Sequence, residues 1–372
     1  MVRYPLGGML SWALQWPLGL QRLGHDVYIL ENANYADACF DLRTGQLSDD
    51  CEYGLLTVKN LLRRFELDNR LIFLDSAGAV YGAASCELDE IFKTADLIID
   101  TGNHGAWQER AHGAGISTVL VDGEPGFTQM KMENLAREGG NPLQFDFYFS
   151  NGANVGTADF SGPTAGRTWH HVWNPIVTDC FRPTERQASA PFTTVMNWQS
   201  HDAIDFNGRS YGQKDVEFEK FVDLPKHVDI KMEVAAAGRV PNERLRAAGW
   251  HVKDAHAVTG SFDSYWEYIR SSSGEFSVCK NVFVASHSGW FSDRSAAYLA
   301  SGRPVVLQDT GFSKHLPCGR GLFAVNTLDE AIAALREVEG DYESHSASAR
   351  ELACEYLDSG RVLTKFLNQL GL

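Results

Sequence analysis

Long apolar runs, paired cysteines and an excess of basic charge are all missing from this 372-residue chain. No stretch of about eighteen apolar residues occurs, which argues against a membrane-spanning helix. Lys and Arg number 33 against 48 Asp and Glu, a formal charge of −15. General nucleic-acid binding leaves a basic footprint, so that class is not expected. The cysteines number seven, are scattered, and form no Cys-x-x-Cys pair. They read as free thiols of a reducing, cytoplasmic setting, and no metal site is expected from them. The opening residues Met1-Val2-Arg3-Tyr4-Pro5 carry no basic-then-apolar signal segment. What is present is ordinary globular matter, with 44% hydrophobic and 22% charged residues. At about 150 residues per domain, the length suggests two domains.

Short apolar runs alternate with helix-period segments. The runs cover 27–30, 71–74, 97–100, 118–121 and 145–149, then 193–196, 228–232, 282–284 and 304–307. Most end in Gly, Asp, Asn or Ser. Helical patterns at 10–23, 53–65, 216–221, 242–248, 264–271, 292–300 and 328–338 lie between them. Such alternation implies βαβ units and mostly parallel sheets. The periodicity weakens over 151–191, a stretch rich in Gly, Pro, Thr and aromatics. The chain is therefore read as an N-terminal domain over 1–175, a linker at 176–190, a C-terminal domain over 191–350 and a helical tail at 351–372. The fold class expected is α/β, with two Rossmann-like doubly wound domains facing across a cleft. Ligands of such sheets bind beyond the carboxyl ends of the strands.

Gly7 and Gly8 precede a helix and allow close approach of a ligand or a tight turn. Only residues 1–6 stand before them, too short and polar for a full buried strand. The first strand is expected to be a stub, or the native start to lie upstream, with the sheet weakened here. Two later strand-end loops carry titratable groups: Asp100-Thr101-Gly102-Asn103-His104-Gly105 and Asp122-Gly123-Glu124-Pro125-Gly126. His104 is the first candidate for a general base on an acceptor hydroxyl, with Asp122 and Glu124 behind it. Asn103 and Asp122 also suit capping and turns. His25 reads as structural.

The most informative stretch runs from Ser288 to Phe312. It reads as loop, helix, glycine stop, Pro304, buried strand and a turn at Asp309-Thr310-Gly311. A helix start at Ser292, Asp293, Arg294 and Ser295 offers free N–H groups to an anion, and Arg294 adds a cation suited to a diphosphate. Asp293 would repel phosphate and is assigned to a hydroxyl or to capping.

The helix, then Ala300-Ser301-Gly302-Arg303-Pro304-Val305-Val306, then Thr310-Gly311-Phe312, resembles the donor half of GT-B-fold glycosyltransferases, similar to families 1 and 4. The loop Leu6-Gly7-Gly8 and the stretch from Gly19 to Val27 look like the acceptor domain of that group. Gly321-Leu322-Phe323 and the helix from Thr327 look like the closing part of its C-terminal domain. The resemblance implies sugar transfer from a nucleotide-diphosphate donor to an acceptor, small molecule or glycan, without a metal or other cofactor. Lys214 and Lys280 then become further cation candidates. Asp309, Thr310 and Gly311 lie near the transferred sugar, the last two offering backbone N–H groups. Trp290 and Trp12 are the aromatic faces best placed to stack on ligands. Retaining members often carry two glutamates eight positions apart, and this chain has Gly289 and Ala297 there. An inverting route is therefore slightly favoured.

Three other readings compete. A nucleotide-sugar epimerase shares the fold and needs no acceptor. An NAD-type oxidoreductase needs a Gly-x-Gly-x-x-Gly loop after a full strand, which Gly7-Gly8 is not, although Glu31 ends the second strand. A non-catalytic sugar-nucleotide-binding protein would keep the fold without turnover.

Overall fold

A computed structural model describes residues 1–102 and 105–372, apart from the Cys86 side chain. The C-terminal half is built on six parallel strands. Their spatial order is His251–Asp254, Met232–Ala237, Phe192–Asn197, Gly274–Ser277, Val305–Gln308, Leu322–Val325. Numbered along the chain, that order is three-two-one-four-five-six, a doubly wound sheet. Its direction of growth reverses between Phe192–Asn197 and Gly274–Ser277. Helices cover both faces. Val234, Phe276 and Val306 pack with Phe218, Phe221 and Leu335 in one core, while Val305 and Leu307 join Tyr298, Leu299 and Phe312 in another.

Two expected elements differ. Residues 282–284 lie in the helix Asn281–Ala285, not in a strand. A short apolar run does not distinguish buried helix from buried strand. The strand that does fill this place, Gly274–Ser277, contains Glu275 and so lacked an apolar signature. The run at 228–232 is displaced as well, with the strand lying at Met232–Ala237.

The N-terminal half is divided. Leu97–Asp100, Ser117–Asp122, Phe147–Ser150 and Trp169–His171 form one parallel sheet. Ile29–Asn32 pairs in parallel with Leu71–Leu74, which also pairs antiparallel with Val80–Tyr81. Residues 1–6 form no strand, and the helix Gly7–Arg22 follows directly. Set beside the C-terminal sheet, the arrangement is the same winding with position one empty. Ile29–Asn32 and Leu97–Asp100 are edge strands of these two sheets, and both are only half-buried along their length. Leu30 and Ile98 nevertheless pack into a shared cluster with Ile72, Ile91 and Phe92.

Two helices cross between the halves. The helix Ser359–Leu370 returns to the N-terminal sheet, where the Phe366 ring lies 5.3 Å from Trp16 and 4.8 Å from Phe149. Pro17 lies inside Gly7–Arg22 without ending it, and the start of that helix packs on the C-terminal half. A Cβ on Gly7 would stand 2.2 Å from the Ser261 carbonyl oxygen and 2.5 Å from Tyr265 Cβ. Among the described residues, no helix is long and apolar enough to cross a membrane.

Candidate active site

The reversal point of the C-terminal sheet places two strand ends side by side. The chain leaves Phe192–Asn197 through Trp198-Gln199-Ser200-His201 and leaves Gly274–Ser277 through Val278-Cys279-Lys280. The short helix Lys214–Phe218 begins in the same place. Lys214 is buried, with 9% of its surface exposed. Its ammonium has no carboxylate or hydrogen-bond acceptor among the described residues. Burial, then the charges of Arg294 and Lys280, push its pKa down from 10.5 to about 7. A cation held in this way is poised for an anion supplied from outside.

Lys280 is engaged. Its Nζ donates to both carboxylate oxygens of Glu124, at 2.5 and 2.7 Å, and lies 3.4 Å from His201 Nε2. Glu124 belongs to the N-terminal half, so the pair spans the junction between the domains. Burial raises the Glu124 carboxyl, but the Lys280 charge and the His201 contact outweigh it, and the net pKa is lowered. His201 is steadied by Gln213, whose Nε2 lies 3.0 Å from its Nδ1, and by the Phe127 ring at 4.2 Å. Sequence reasoning passed over His201 and Gln213. Their position just past a strand end was the available signal.

The start of the helix Asp293–Ala300 does not act as foreseen. Arg294 Nε donates to Glu275 at 2.5 Å, Nη1 to the Val195 carbonyl at 2.8 Å and Nη2 to Ser277 Oγ at 2.6 Å. Its side chain is 9% exposed, and that of Glu275 is fully buried. Glu275 on the neighbouring strand thus pairs with the guanidinium that was expected to face a diphosphate. Ser292 and Ser295 are buried, the latter with an unpartnered Oγ. Asp293 is partly buried, and burial raises its carboxyl pKa.

The turn after Val305–Gln308 is closed on itself and against the other half. Asp309 accepts from Gly311 N and Ser313 Oγ, while Thr310 Oγ donates to the Trp290 carbonyl at 2.6 Å. Gly311 has φ +98°, and a Cβ there would meet Asn154 Nδ2 at 2.6 Å. Trp290 is 8% exposed, its ring 4.7 Å from Phe283. Its backbone bridges Gly152 of the N-terminal half, and Ala153 N donates to Gly289 O. The Trp290 ring is thus a packing element and not an open stacking face.

In the N-terminal half, Asp122 is buried and accepts from Glu124 N, Gln129 Nε2 and Ser150 Oγ. Burial raises its pKa. It organises the loop that carries Glu124. Gly7 serves the contact with Ser261 described above, and Gly8 has 3.8 Å of room before Tyr265. Trp12 donates from Nε1 to Asn174 Oδ1 at 3.3 Å. Asn103 and His104 lie outside the described residues.

A group not foreseen lines the domain junction near Gly311. His315 Nε2 lies 2.7 Å from Asn154 Oδ1, and the His171 ring lies 4.1 Å from Trp173. Burial, then His315, push the His171 pKa down to about 3, so it is neutral. The signal for His171 was the run Trp169-His170-His171-Val172-Trp173, set in a stretch read mainly for its poor periodicity.

Two doubly wound halves with opposed strand ends define the GT-B architecture. Solved structures of similar shape bear this out. The Anabaena HepE complex with UDP-glucose has a TM-score of 0.53 at 10% identity, covering 93% of this chain and 100% of that one. A glycosyltransferase from Rickettsia africae ESF-5 has 0.54 at 11%, covering 97% and 94%. AviGT4, a glycosyltransferase of avilamycin A biosynthesis, has 0.51 at 11%, covering 91% and 96%. The chain matches no family profile and no curated protein.

Proposed function

We propose that this protein is a glycosyltransferase that takes a sugar from a nucleotide-diphosphate donor. The carrying observation is the buried Lys214 ammonium at the reversal point of the sheet, without an anion of its own. A donor's diphosphate supplies that anion and restores the proton that burial drives off. Lys280, from the adjacent strand end, holds the second phosphate. Ligands of doubly wound sheets bind at this point, and the Anabaena structure of the same fold contains UDP-glucose.

The reaction is then a displacement at the anomeric carbon. The acceptor oxygen forms the new bond, the bond to the diphosphate oxygen breaks, and the leaving diphosphate takes the electron pair. Lys214 and Lys280 stabilise that developing charge, which makes a divalent metal unnecessary. Gly289 and Ala297 supply no carboxylate, which favours inversion with a base from the N-terminal half. His104 is the proposed base on its place in the sequence after Leu97–Asp100. Thiols at Cys39, Cys51, Cys180, Cys279, Cys318 and Cys354 suit a reducing, cytoplasmic setting.

A calorimetric panel of UDP, GDP, ADP and TDP, followed by turnover of the matching nucleotide sugars with and without chelator, tests the reading. Binding of one nucleotide, its loss in Lys214→Met, chelator-resistant transfer and loss of transfer in His104→Ala are expected. An absence of nucleotide binding refutes the assignment. Interconversion of the donor sugar without an acceptor identifies an epimerase instead.

A further inference from the structure

We infer that Glu124 is a resident counter-anion of the donor site, which a diphosphate must displace from Lys280 before the donor is fully bound. The inference rests on the nucleotide-sugar reading and adds a device that sets donor affinity and ties it to the contact between the halves.

The geometry has three parts. First, both Glu124 oxygens sit on one ammonium, at 2.5 and 2.7 Å, and His201 Nε2 is 3.4 Å from the same nitrogen. With 9% of its side chain exposed, Lys280 has its ammonium engaged by the carboxylate.

Second, Glu124 is built to leave. Its backbone belongs to a loop held without its side chain: Glu124 N and Gln129 Nε2 donate to Asp122, and Gly126 N donates to Gln129 Oε1. Its side chain is 41% exposed. A rotamer change then moves the carboxylate toward water while the loop backbone stays held, and the incoming diphosphate takes over the buried Lys280 charge. This differs from Arg294–Glu275, where the carboxylate is fully buried and has nowhere to go.

Third, the charges are unequal. Lys214 has no counter-ion, whereas Lys280 has one. An incoming diphosphate meets one vacant cation and one occupied by a monoanion. Its greater charge and additional acceptor oxygens favour exchange, which transfers Lys280 from the N-terminal half to the ligand. Without a donor, the same pair pins the two halves together. Removing the Glu124 charge therefore raises affinity for any diphosphate, because the ligand no longer competes for Lys280.

Calorimetric titration of the full chain with inorganic pyrophosphate and with UDP at pH 7 tests this. Glu124→Gln is expected to bind pyrophosphate about tenfold more tightly than the parent, within the usual range of coupling between sites. Lys280→Met binds more weakly, and in the double variant the gain from Glu124→Gln disappears. A parent that binds and a well-folded Glu124→Gln that binds no more tightly overturns the inference and leaves the nucleotide-sugar reading standing. A gain that persists without Lys280 also overturns it. Failure of both proteins to bind either probe removes the reading and the inference together, whereas binding by Glu124→Gln alone supports both. Glu124→Asp, which keeps the charge but draws it back by one methylene, is expected to gain less in the same direction and carries the test if the glutamine variant does not fold.

Discussion

Replacing Lys214 by methionine removes a buried charge while keeping an unbranched apolar side chain. In the folded protein the ammonium titrates at about 7 instead of 10.5. Between those values the unfolded chain holds a proton that the folded protein has released, so stability rises with pH across this window. Below about 7 the folded lysine is charged and carries the full desolvation penalty. At 1.36 kcal/mol per pH unit, the displacement from 10.5 amounts to about 5 kcal/mol. Lys214→Met should thus exceed the parent in stability by up to about 5 kcal/mol at pH 6, the gap closing by about 4 kcal/mol by pH 10. Chemical denaturation of both proteins from pH 6 to 10 measures it, and the difference cancels the titration of other groups. A companion readout is proton uptake. UDP binding at pH 8 should draw close to one proton onto the parent, seen as a dependence of calorimetric heat on buffer ionisation. A gap that changes by less than about 1 kcal/mol over the pH range would falsify the claim that this ammonium lacks a partner.

Two further outcomes concern packing. Arg294→Ala leaves the fully buried Glu275 carboxylate without its guanidinium and should cost about 3–5 kcal/mol in denaturation experiments, with Arg294→Met/Glu275→Leu recovering much of that loss. A near-neutral Arg294→Ala would mean the guanidinium is not neutralised within the domain. Gly7→Ala drives a Cβ to 2.2 Å from the Ser261 carbonyl and should cost about 1–3 kcal/mol by separating the first helix from the C-terminal half. Gly8→Ala, with 3.8 Å of clearance, should stay within about 0.5 kcal/mol. Equal melting temperatures for these two variants would refute that contact.

Local chemistry alone was enough for much of the architecture. Gly302 with φ +67° ends the helix Asp293–Ala300, Pro304 follows, and Val305–Gln308 is the buried strand that its β-branched run foretold. Thr327 and Glu330 form the capping box that starts Leu328–Gly340. These signals act over a few residues, so no knowledge of the fold is needed to read them. Repeated along the chain, they amount to the alternation from which a doubly wound α/β protein follows.

Partnerships between distant residues were not legible. Arg294 carried the correct charge at a plausible helix start, and only the neighbouring strand shows that Glu275 neutralises it. The same glutamate hid Gly274–Ser277 from a search for apolar runs, because a paired, buried carboxylate looks polar in sequence. Lys214 and Lys280 were indistinguishable as sequence lysines. Folding left one without an anion and gave the other Glu124, 156 positions away. Glu31, the acid at the end of the second strand, accepts from Val2 N and Arg3 N, which weakens the dinucleotide reading. Propensity and capping depend on neighbours along the chain. The charge state and availability of a side chain depend on what the folded chain brings within a few ångströms of it.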